Sequence, residues 1–341
     1  MIFLDVTKSG AAAHRSGLVR VGARLRDEFG ADAVPVVWGE WDRAAGPSDW
    51  FLTPELFSEA ERPGFSEFLA TRRCRAAAIF HDLIPLRHPH ITWPQSVARH
   101  PGYIKLLARF DRVWAVSAAA RDDLLGFWRW QGVERPPPVD VIALGADFSA
   151  APRPTGPARA GGRTPSLLCV GILEPRKNQA MLLDVCDELW GEGRSFELHV
   201  AGRINPLFGR PVARRMRELR RRRPGLCHHP TASDGELSGL YARARASLFP
   251  SLAEGCGLPL LESLWMGVPC ICSDLPVLRE NAGAGGCLCV PPADRAAWAA
   301  ALRRILDDDA LAARLAAEAA GRPLPTWADA VRALSYSFFK A

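Results

Sequence analysis

Along nearly the whole chain of 341 residues, short apolar runs alternate with longer stretches whose apolar positions recur every three or four residues. Residues 1–6 (MIFLDV), 34–38 (VPVVW), 76–81 (AAAIFH), 112–116 (RVWAV) and 139–143 (VDVIA) read as strands. Residues 17–29, 93–109 and 118–130 carry helical periodicity. After Leu144-Gly145 the stretch FSAAPRPTGPARAGGRTP follows neither period, and its Pro and Gly content marks a linker over 151–165. The alternation then resumes. Strands are expected at 166–171 (SLLCVG), 196–202 (FELHVAG), 246–251 (ASLFPS), 268–273 (VPCICS) and 286–291 (GCLCVP), with helices at 178–191, 210–222, 257–267 and 294–306. Strands that are apolar almost throughout imply parallel sheets covered by helices on both faces. The pattern therefore predicts an α/β chain of two doubly wound domains, 1–150 and 166–322. Such sheets bind ligands at the carboxyl ends of their strands, so a cleft between the domains is the expected site. The helical pattern of 294–320 breaks at Gly321-Arg322-Pro323, and TWADAVRALSYSFFK then reads as a last amphipathic helix within 323–341.

Composition narrows the class only modestly. Apolar residues make up 48% and charged residues 23%, which is the balance of a globular protein and not of a disordered one. The formal net charge of +6 suits nucleic acid, an anionic membrane or a phosphorylated substrate alike. No run approaches the roughly 20 apolar residues of a spanning helix. MIFLDVTKSG lacks the layout of a signal peptide, so a cytoplasmic protein is expected. The nine cysteines form no C-x-x-C pair, and Cys169, Cys270, Cys272 and Cys287 fall in apolar runs where a thiol is a small core residue.

Two stretches of the second half carry candidate chemistry. In VGILEPRKNQAMLLDV, Pro175-Arg176-Lys177-Asn178 leads into a helix, with Asn178 as the expected N-cap. Two cations beside a helix N-terminus make an anion site, although a solvated turn would look the same in sequence. In LFPSLAEGCGLPLLESL, Glu254 closes a strand-like run and Glu262 lies eight positions later in a helix-like run. The glycines between them allow backbone to approach a ligand closely.

Together these stretches resemble the donor-binding half of the family-4 retaining glycosyltransferases. GILEPRKN is followed about 70 residues later by FPSLAEGCGLPLLESLWMGVPCICSDLPVLRENAG, in which Glu254 to Glu262 is similar to the family's E-x7-E motif. The first half agrees: HRSGLVRV (14–21), FHDLIPLRHP (80–89), VSAAARDDLL (116–125) and VDVIALGADF each resemble a family segment in the family's order. The resemblance implies the GT-B fold, two Rossmann-like domains facing across a cleft with the C-terminal helix crossing back to the first, where Trp327 and Phe338 would be core. It implies a retaining, metal-independent transfer of a hexose from a nucleoside-diphosphate sugar to a glycan or lipid-linked acceptor, with no cofactor. Glu262 would hold the ribose, Lys177 and Arg176 the diphosphate, and Glu254 with the Gly257-Leu258 turn the sugar. His81 would point at that sugar and the Gly17 loop would approach the donor. Similarity of the His-Asp-Leu-Ile-Pro segment to mannosyltransferases of bacterial surface polysaccharides implies GDP-mannose over a UDP-sugar.

This chain departs from the pattern at two places. Ile172 stands where many members have a phosphate-binding arginine, which shifts charge neutralisation onto Lys177 and Arg176. Val19 stands where many have a second glycine. The chemistry is consistent with the resemblance: a leaving diphosphate needs fixed cations and N–H dipoles, and a carboxylate matches a ribose diol. A dinucleotide-dependent oxidoreductase shares the α/β pattern, but no G-x-G-x-x-G follows the first strand. A non-catalytic binding protein of the same fold and a sugar-phosphorylase relative also remain open.

Three further features attract attention. Asp307-Asp308-Asp309 falls between helical patterns and is expected to cap the second. Cys227-His228-His229 makes a poor metal site because neighbours on a strand point to opposite faces. RRMRELRRRRPG (214–225) holds seven arginines and reads either as a solvated helix face or as a contact for anionic lipid at the inner face of the membrane. Nucleic acid is not expected, since no recognition module is visible.

Overall fold

The computed structural model describes residues 1–11, 17–42, 44–148, 153–156 and 164–340, with side chains through 338. The chain divides into two compact units, Met1–Gly145 with Pro325–Ala341, and Ala146–Leu324.

The strands of the first unit are β1 (Ile2–Asp5), β2 (Ala33–Val36), β3 (Trp50–Thr53), β4 (Arg75–Phe80), β5 (Arg112–Ala115) and β6 (Val139–Val141). Its helices through this part are α1 (Gly17–Phe29), α2 (Phe65–Thr71), α3 (Ile84–Arg87), α4 (Pro94–Leu107) and α5 (Ala118–Trp130). The strands form one parallel sheet in the order β2-β1-β3-β4-β5-β6, so the direction of winding reverses between β1 and β3. Strand β3 (WFLT) is absent from the expected strands, yet all four of its residues are buried at the centre of the sheet. On one face Trp38, Phe51, Phe65 and Phe68 interlock edge-to-face and tilted, an arrangement that adds to the area they bury.

The second unit holds β7 (Ser166–Val170), β8 (Glu197–Ala201), β9 (Leu226–His229), β10 (Ala246–Phe249), β11 (Cys270–Ser273) and β12 (Cys287–Val290). Between and after them run α6 (Gln179–Gly191), α7 (Arg210–Arg220), α8 (Asp234–Arg243), α9 (Leu258–Trp265), α10 (Pro276–Ala282), α11 (Arg295–Asp307) and α12 (Asp309–Gly321). The sheet order β12-β11-β10-β7-β8-β9 is that of dinucleotide-binding folds, with the reversal between β7 and β10. Asp308 separates α11 from α12, and its Oδ1 accepts from the Leu311 amide at 2.8 Å, which is a helix cap and not a metal ligand set.

The last helix, α13 (Trp327–Lys340), belongs to the first unit. The Phe338 ring lies 4.9 Å from Trp50 and 5.1 Å from Trp114, and Trp327 is fully buried. Gly145 makes this docking possible: a Cβ there would stand 2.3 Å from the Trp327 amide nitrogen and 2.5 Å from its ring. The division of the chain falls after Gly145 and not after residue 150, because Phe148 packs on Tyr241 in the core of the second unit. Most of the expected linker, 151–152 and 157–163, lies outside the described residues. Among the described residues no helix is long and apolar enough to cross a membrane.

Candidate functional site

At the switch point of the second sheet, the turns that leave β7 and β10 meet. The chain after β7 forms a 3-10 turn at Pro175–Lys177 and enters α6. The chain after β10 runs from Pro250 to Gly257 and enters α9. They are joined by the Leu252 amide, which donates to the Arg176 carbonyl at 2.8 Å.

Four charged side chains line this junction. Lys177 Nζ donates to Glu254 Oε1 at 2.5 Å and stands 4.8 Å above the Phe249 ring. Arg176 Nη1 lies 3.2 Å from Glu254 Oε2 and donates to the Ala253 carbonyl at 2.9 Å. Arg176 Nε donates to Glu174 Oε1 at 3.0 Å, while Asn205 Nδ2 donates to Glu174 Oε2 at 2.8 Å. Glu174 therefore completes a chain of alternating charges, Glu174–Arg176–Glu254–Lys177. Burial opposes ionisation of Glu254, but Lys177, Arg176 and hydrogen bonds outweigh it and hold the carboxyl below its ordinary range. Burial likewise lowers the Lys177 ammonium, with Glu254 opposing.

The structure thus brings Arg176, Lys177 and Glu254 into direct contact, an association that spacing along the chain did not reveal. Glu174 stands in the GILEPRKN stretch, but nothing in sequence distinguishes it from a solvated turn carboxylate. Asn178 corrects one expectation. It precedes α6 in the left-handed region (φ 53°) and makes no side-chain cap; its Nδ2 donates instead to the Pro292 carbonyl at 3.1 Å.

The entry to α9 supplies a second element. Gly257 has φ 84°, and a Cβ there would come within 2.5 Å of Leu278, so only glycine fits this turn. Asn281 Nδ2 braces the turn by donating to the Cys256 carbonyl at 2.7 Å. The first amides of a helix have no partners within it and carry partial positive charge, and the Gly257-Leu258 step presents this end of α9. Glu262 sits one turn further on, only 2% exposed, with the Tyr241 hydroxyl 3.5 Å from its Oε2. Burial, then Glu254, push the Cys256 thiol up to about 12, away from the thiolate form.

In the first unit, His81 follows β4 and is nearly fully buried. Its Nε2 lies 2.7 Å from the Pro54 carbonyl, which can only accept, so Nε2 carries the proton and Nδ1 is left as an acceptor. Burial holds its pKa below the ordinary histidine value despite that hydrogen bond and nearby Asp82. Gly17 opens α1, and a Cβ there would meet nothing within 4 Å, so the fold itself does not require glycine. Residues 14–16 of the HRSGLVRV loop lie outside the described residues.

Sequence reasoning missed a group at the first sheet's switch point. Asp5 ends β1, Glu55 follows β3, and both face Arg62, whose Nη2 lies 3.2 Å from Asp5 Oδ2 and 2.6 Å from Glu55 Oε2. Glu55 also accepts from the amides of Lys8 (2.8 Å) and Ser9 (2.7 Å), fixing the loop that leaves β1. Asp5 is 57 residues from Arg62 and Ser9 46 from Glu55, and the group follows no motif. Burial, with Asp5 adding to it, raises the Glu55 pKa.

Other expected features resolve as structural. His229 Nε2 lies 3.0 Å from His199 Nδ1, and His228 Nε2 donates to the Gly202 carbonyl at 2.9 Å. Among the described residues no three metal-capable side chains converge. Glu236 completes a capping box with Ser233.

Comparison with known proteins adds sequence and fold relationships. Residues 164–308 match the family model described as glycosyl transferases group 1. The chain is 33% identical to a serotype-specific mannosyltransferase, WbdA of Escherichia coli, over 282 residues, which cover 75% of this chain and 32% of that protein. It therefore spans about a third of the length of that relative. In fold it is similar to a sucrose-phosphate synthase from Thermosynechococcus elongatus, with TM-score 0.72, 17% identity and coverage of 99% and 98% of the two chains. It is also similar to Anabaena HepE in complex with UDP and glucose, with TM-score 0.71, 13% identity and coverage of 100% and 99%.

Proposed function

Because residues 164–308 form a group 1 glycosyl transferase domain, we propose that the chain moves a hexose, mannose first, from a nucleoside-diphosphate sugar to a glycan or lipid-linked glycan. The observation that carries this reading is the alternating charge chain at the switch point between β7 and β10, beside the N-terminal end of α9. The fold relative HepE is seen in complex with UDP and glucose, which supports a nucleoside-diphosphate sugar, and the sequence relative WbdA is a mannosyltransferase, which favours mannose and hence GDP-mannose.

In this reading the diphosphate meets Arg176, Lys177 and the Gly257-Leu258 amides. An ammonium has three donors, so Lys177 can keep Glu254 and still bind a phosphate oxygen. Arg176 keeps 21% of its side chain exposed, so its guanidinium is within reach of a phosphate as well. Glu262 accepts from the ribose hydroxyls, and Glu254, locked as a carboxylate, orients hydroxyls of the sugar. As the glycosidic C–O bond breaks, negative charge grows on the leaving phosphate, where fixed cations and amides stabilise it more than they stabilise the donor. These groups supply the charge that a divalent metal would otherwise bring, so transfer proceeds without one. The acceptor hydroxyl attacks from the face the phosphate leaves, its proton passes to that phosphate oxygen, and configuration is retained. His81 offers Nδ1 as an acceptor for a sugar hydroxyl.

A lipid-linked acceptor fits the basic helix α7. Arg215, Arg222 and Arg223 pair with Asp184 or Asp187 and are structural. Arg210, Arg214, Arg217 and Arg221 are exposed at spacings that place them on one helical face, suited to anionic headgroups at the inner membrane surface.

The test is release of GDP from GDP-mannose in the presence of a mannose-terminated glycan, with UDP-glucose and UDP-N-acetylglucosamine alongside and EDTA in duplicate reactions. Acceptor-dependent release that survives EDTA is expected. Absence of release from every donor with a range of glycan acceptors would remove the enzyme reading.

A further inference from the structure

Four of the nine cysteines come together on two neighbouring strands. The parallel register of β11 and β12 pairs Cys270 with Cys287 and Cys272 with Cys289. Side chains two positions apart share a face, so all four thiols lie on one side of the sheet. Cys272 and Cys289 are in contact, with their sulfurs 3.8 Å apart. The two members of this pair differ sharply in access. Cys272 is fully buried, whereas Cys289 is exposed on β12, the edge strand.

We propose that Cys272 and Cys289 are a reversible thiol modification site, at which Cys289 reacts with a low-molecular-weight disulfide and Cys272 resolves the product. Three observations support the assignment. In-register residues on adjacent strands are about 4.7–4.9 Å apart, within the Cα separation a disulfide accepts, and the two sulfurs already stand 3.8 Å from each other. Exposure gives the attacking disulfide access to Cys289 alone of the two. The surroundings also favour its thiolate: a hydrogen bond from Cys272, and then Arg279, bring the Cys289 thiol down to about 7, against burial and the charge of Asp274. Asp274 itself is engaged by Arg279. The buried thiols are pushed the opposite way, Cys272 by its hydrogen bonds with the neighbouring cysteines and by burial, and Cys169 by burial up to about 12.

The chemistry balances with glutathione disulfide as oxidant. The Cys289 thiolate attacks one sulfur, forming a mixed disulfide and expelling a glutathione thiolate, which takes up a proton. Cys272 then loses its proton and attacks the Cys289 sulfur, and the second glutathione leaves as its thiol. The two protein thiols give up two electrons and two protons, and one glutathione disulfide becomes two glutathiones.

The full chain is incubated with glutathione disulfide, quenched with N-ethylmaleimide and measured by intact mass and by non-reducing peptide mapping. Cleavage after Arg279 separates the two strands, so a cross-link joins two peptides. The expected result is loss of two hydrogens, a peptide linking Cys272 to Cys289, and full reversal by dithiothreitol. Cys272→Ala should stop at one glutathione on Cys289, and Cys289→Ser should show neither product. Should the buried Cys272→Ala variant fail to fold, Cys289→Ser, altered only at an exposed edge, still decides the matter. A cross-link that persists in Cys289→Ser, a wild-type protein that retains glutathione on Cys289, or a Cys289 that stays free would each overturn the proposal.

Discussion

Both sheets place charged groups where their winding reverses, but the two clusters are built differently. In the first unit two carboxylates, Asp5 and Glu55, share one guanidinium, and the Arg62 side chain is only 2% exposed. The remaining lone pairs of Glu55 are taken by the amides of Lys8 and Ser9. Acid exceeds base, access is closed, and Asp5 is held further by the Thr7 and Thr53 hydroxyls. In the second unit two carboxylates face two cations, and Arg176 keeps 21% of its side chain exposed. Its partners are mostly other side chains, which can share their contacts with an incoming anion. The same topological position thus holds a closed anchor in one sheet and, in the proposed reading, an anion-binding site in the other. Charge balance and access make the difference, not the strand order.

The sharpest way to break this comparison is Arg62→Ala. It leaves two carboxylates buried without a countercharge, and unfolding free energy should fall by about 3–5 kcal/mol in urea denaturation. A small loss, comparable to that of an exposed arginine, would mean the first cluster is no anchor. Lys177→Ala should act on binding instead. Glu254 keeps Arg176, so the fold survives, while affinity for a nucleoside diphosphate drops by about 1.5–3 kcal/mol in calorimetric titration. Glu262→Ala should show a loss of the same order. Gly257→Ala sharpens the picture of the α9 entry: the left-handed backbone alone makes it unfavourable by about 1–3 kcal/mol, and the Leu278 contact adds to that. Its unfolding midpoint should shift even without nucleotide.

The smallest effect concerns pH. His81 and His100 both have pKa values lowered, chiefly by burial, so the unfolded chain binds protons that the folded chain refuses. Their contribution is therefore intact above the unfolded value of about 6.5 and declines as pH falls below it. Melting temperatures between pH 8 and pH 5 should drop on the acid side, and His81→Asn should flatten that drop. An identical profile in the variant would remove His81 as a source of the effect.

Sequence alone disclosed the β/α alternation, because buried parallel strands are apolar on both faces and stand out between amphipathic helices. It also singled out Arg176, Lys177, Glu254 and Glu262 as candidates, through their strand-turn-helix setting and the family resemblance, while the contacts among Arg176, Lys177 and Glu254 came only with the structure. Other features depend on contacts between distant residues. Strand β3 owes its burial to β1 and β4 on either side. The Asp5–Glu55–Arg62 group and the Cys272–Cys289 pair arise from sheet register, which no local pattern encodes. Asn178 was misread as a cap because its residue type suits both that role and the left-handed conformation it adopts.

The central claim, that the junction of the β7 and β10 turns binds the diphosphate of a sugar nucleotide, is tested most directly by ligand-induced thermal stabilisation. Wild-type protein and Lys177→Ala would be melted with GDP, UDP, ADP, GDP-mannose, UDP-glucose and NAD, each with and without EDTA. A ligand at 100 times its dissociation constant stabilises the folded state by about 2.7 kcal/mol, well within reach of such a melt. The account predicts a clear shift with one nucleoside diphosphate and its sugar, undiminished by EDTA and strongly reduced in Lys177→Ala. A shift with NAD alone, or one equally large in the variant, would contradict it.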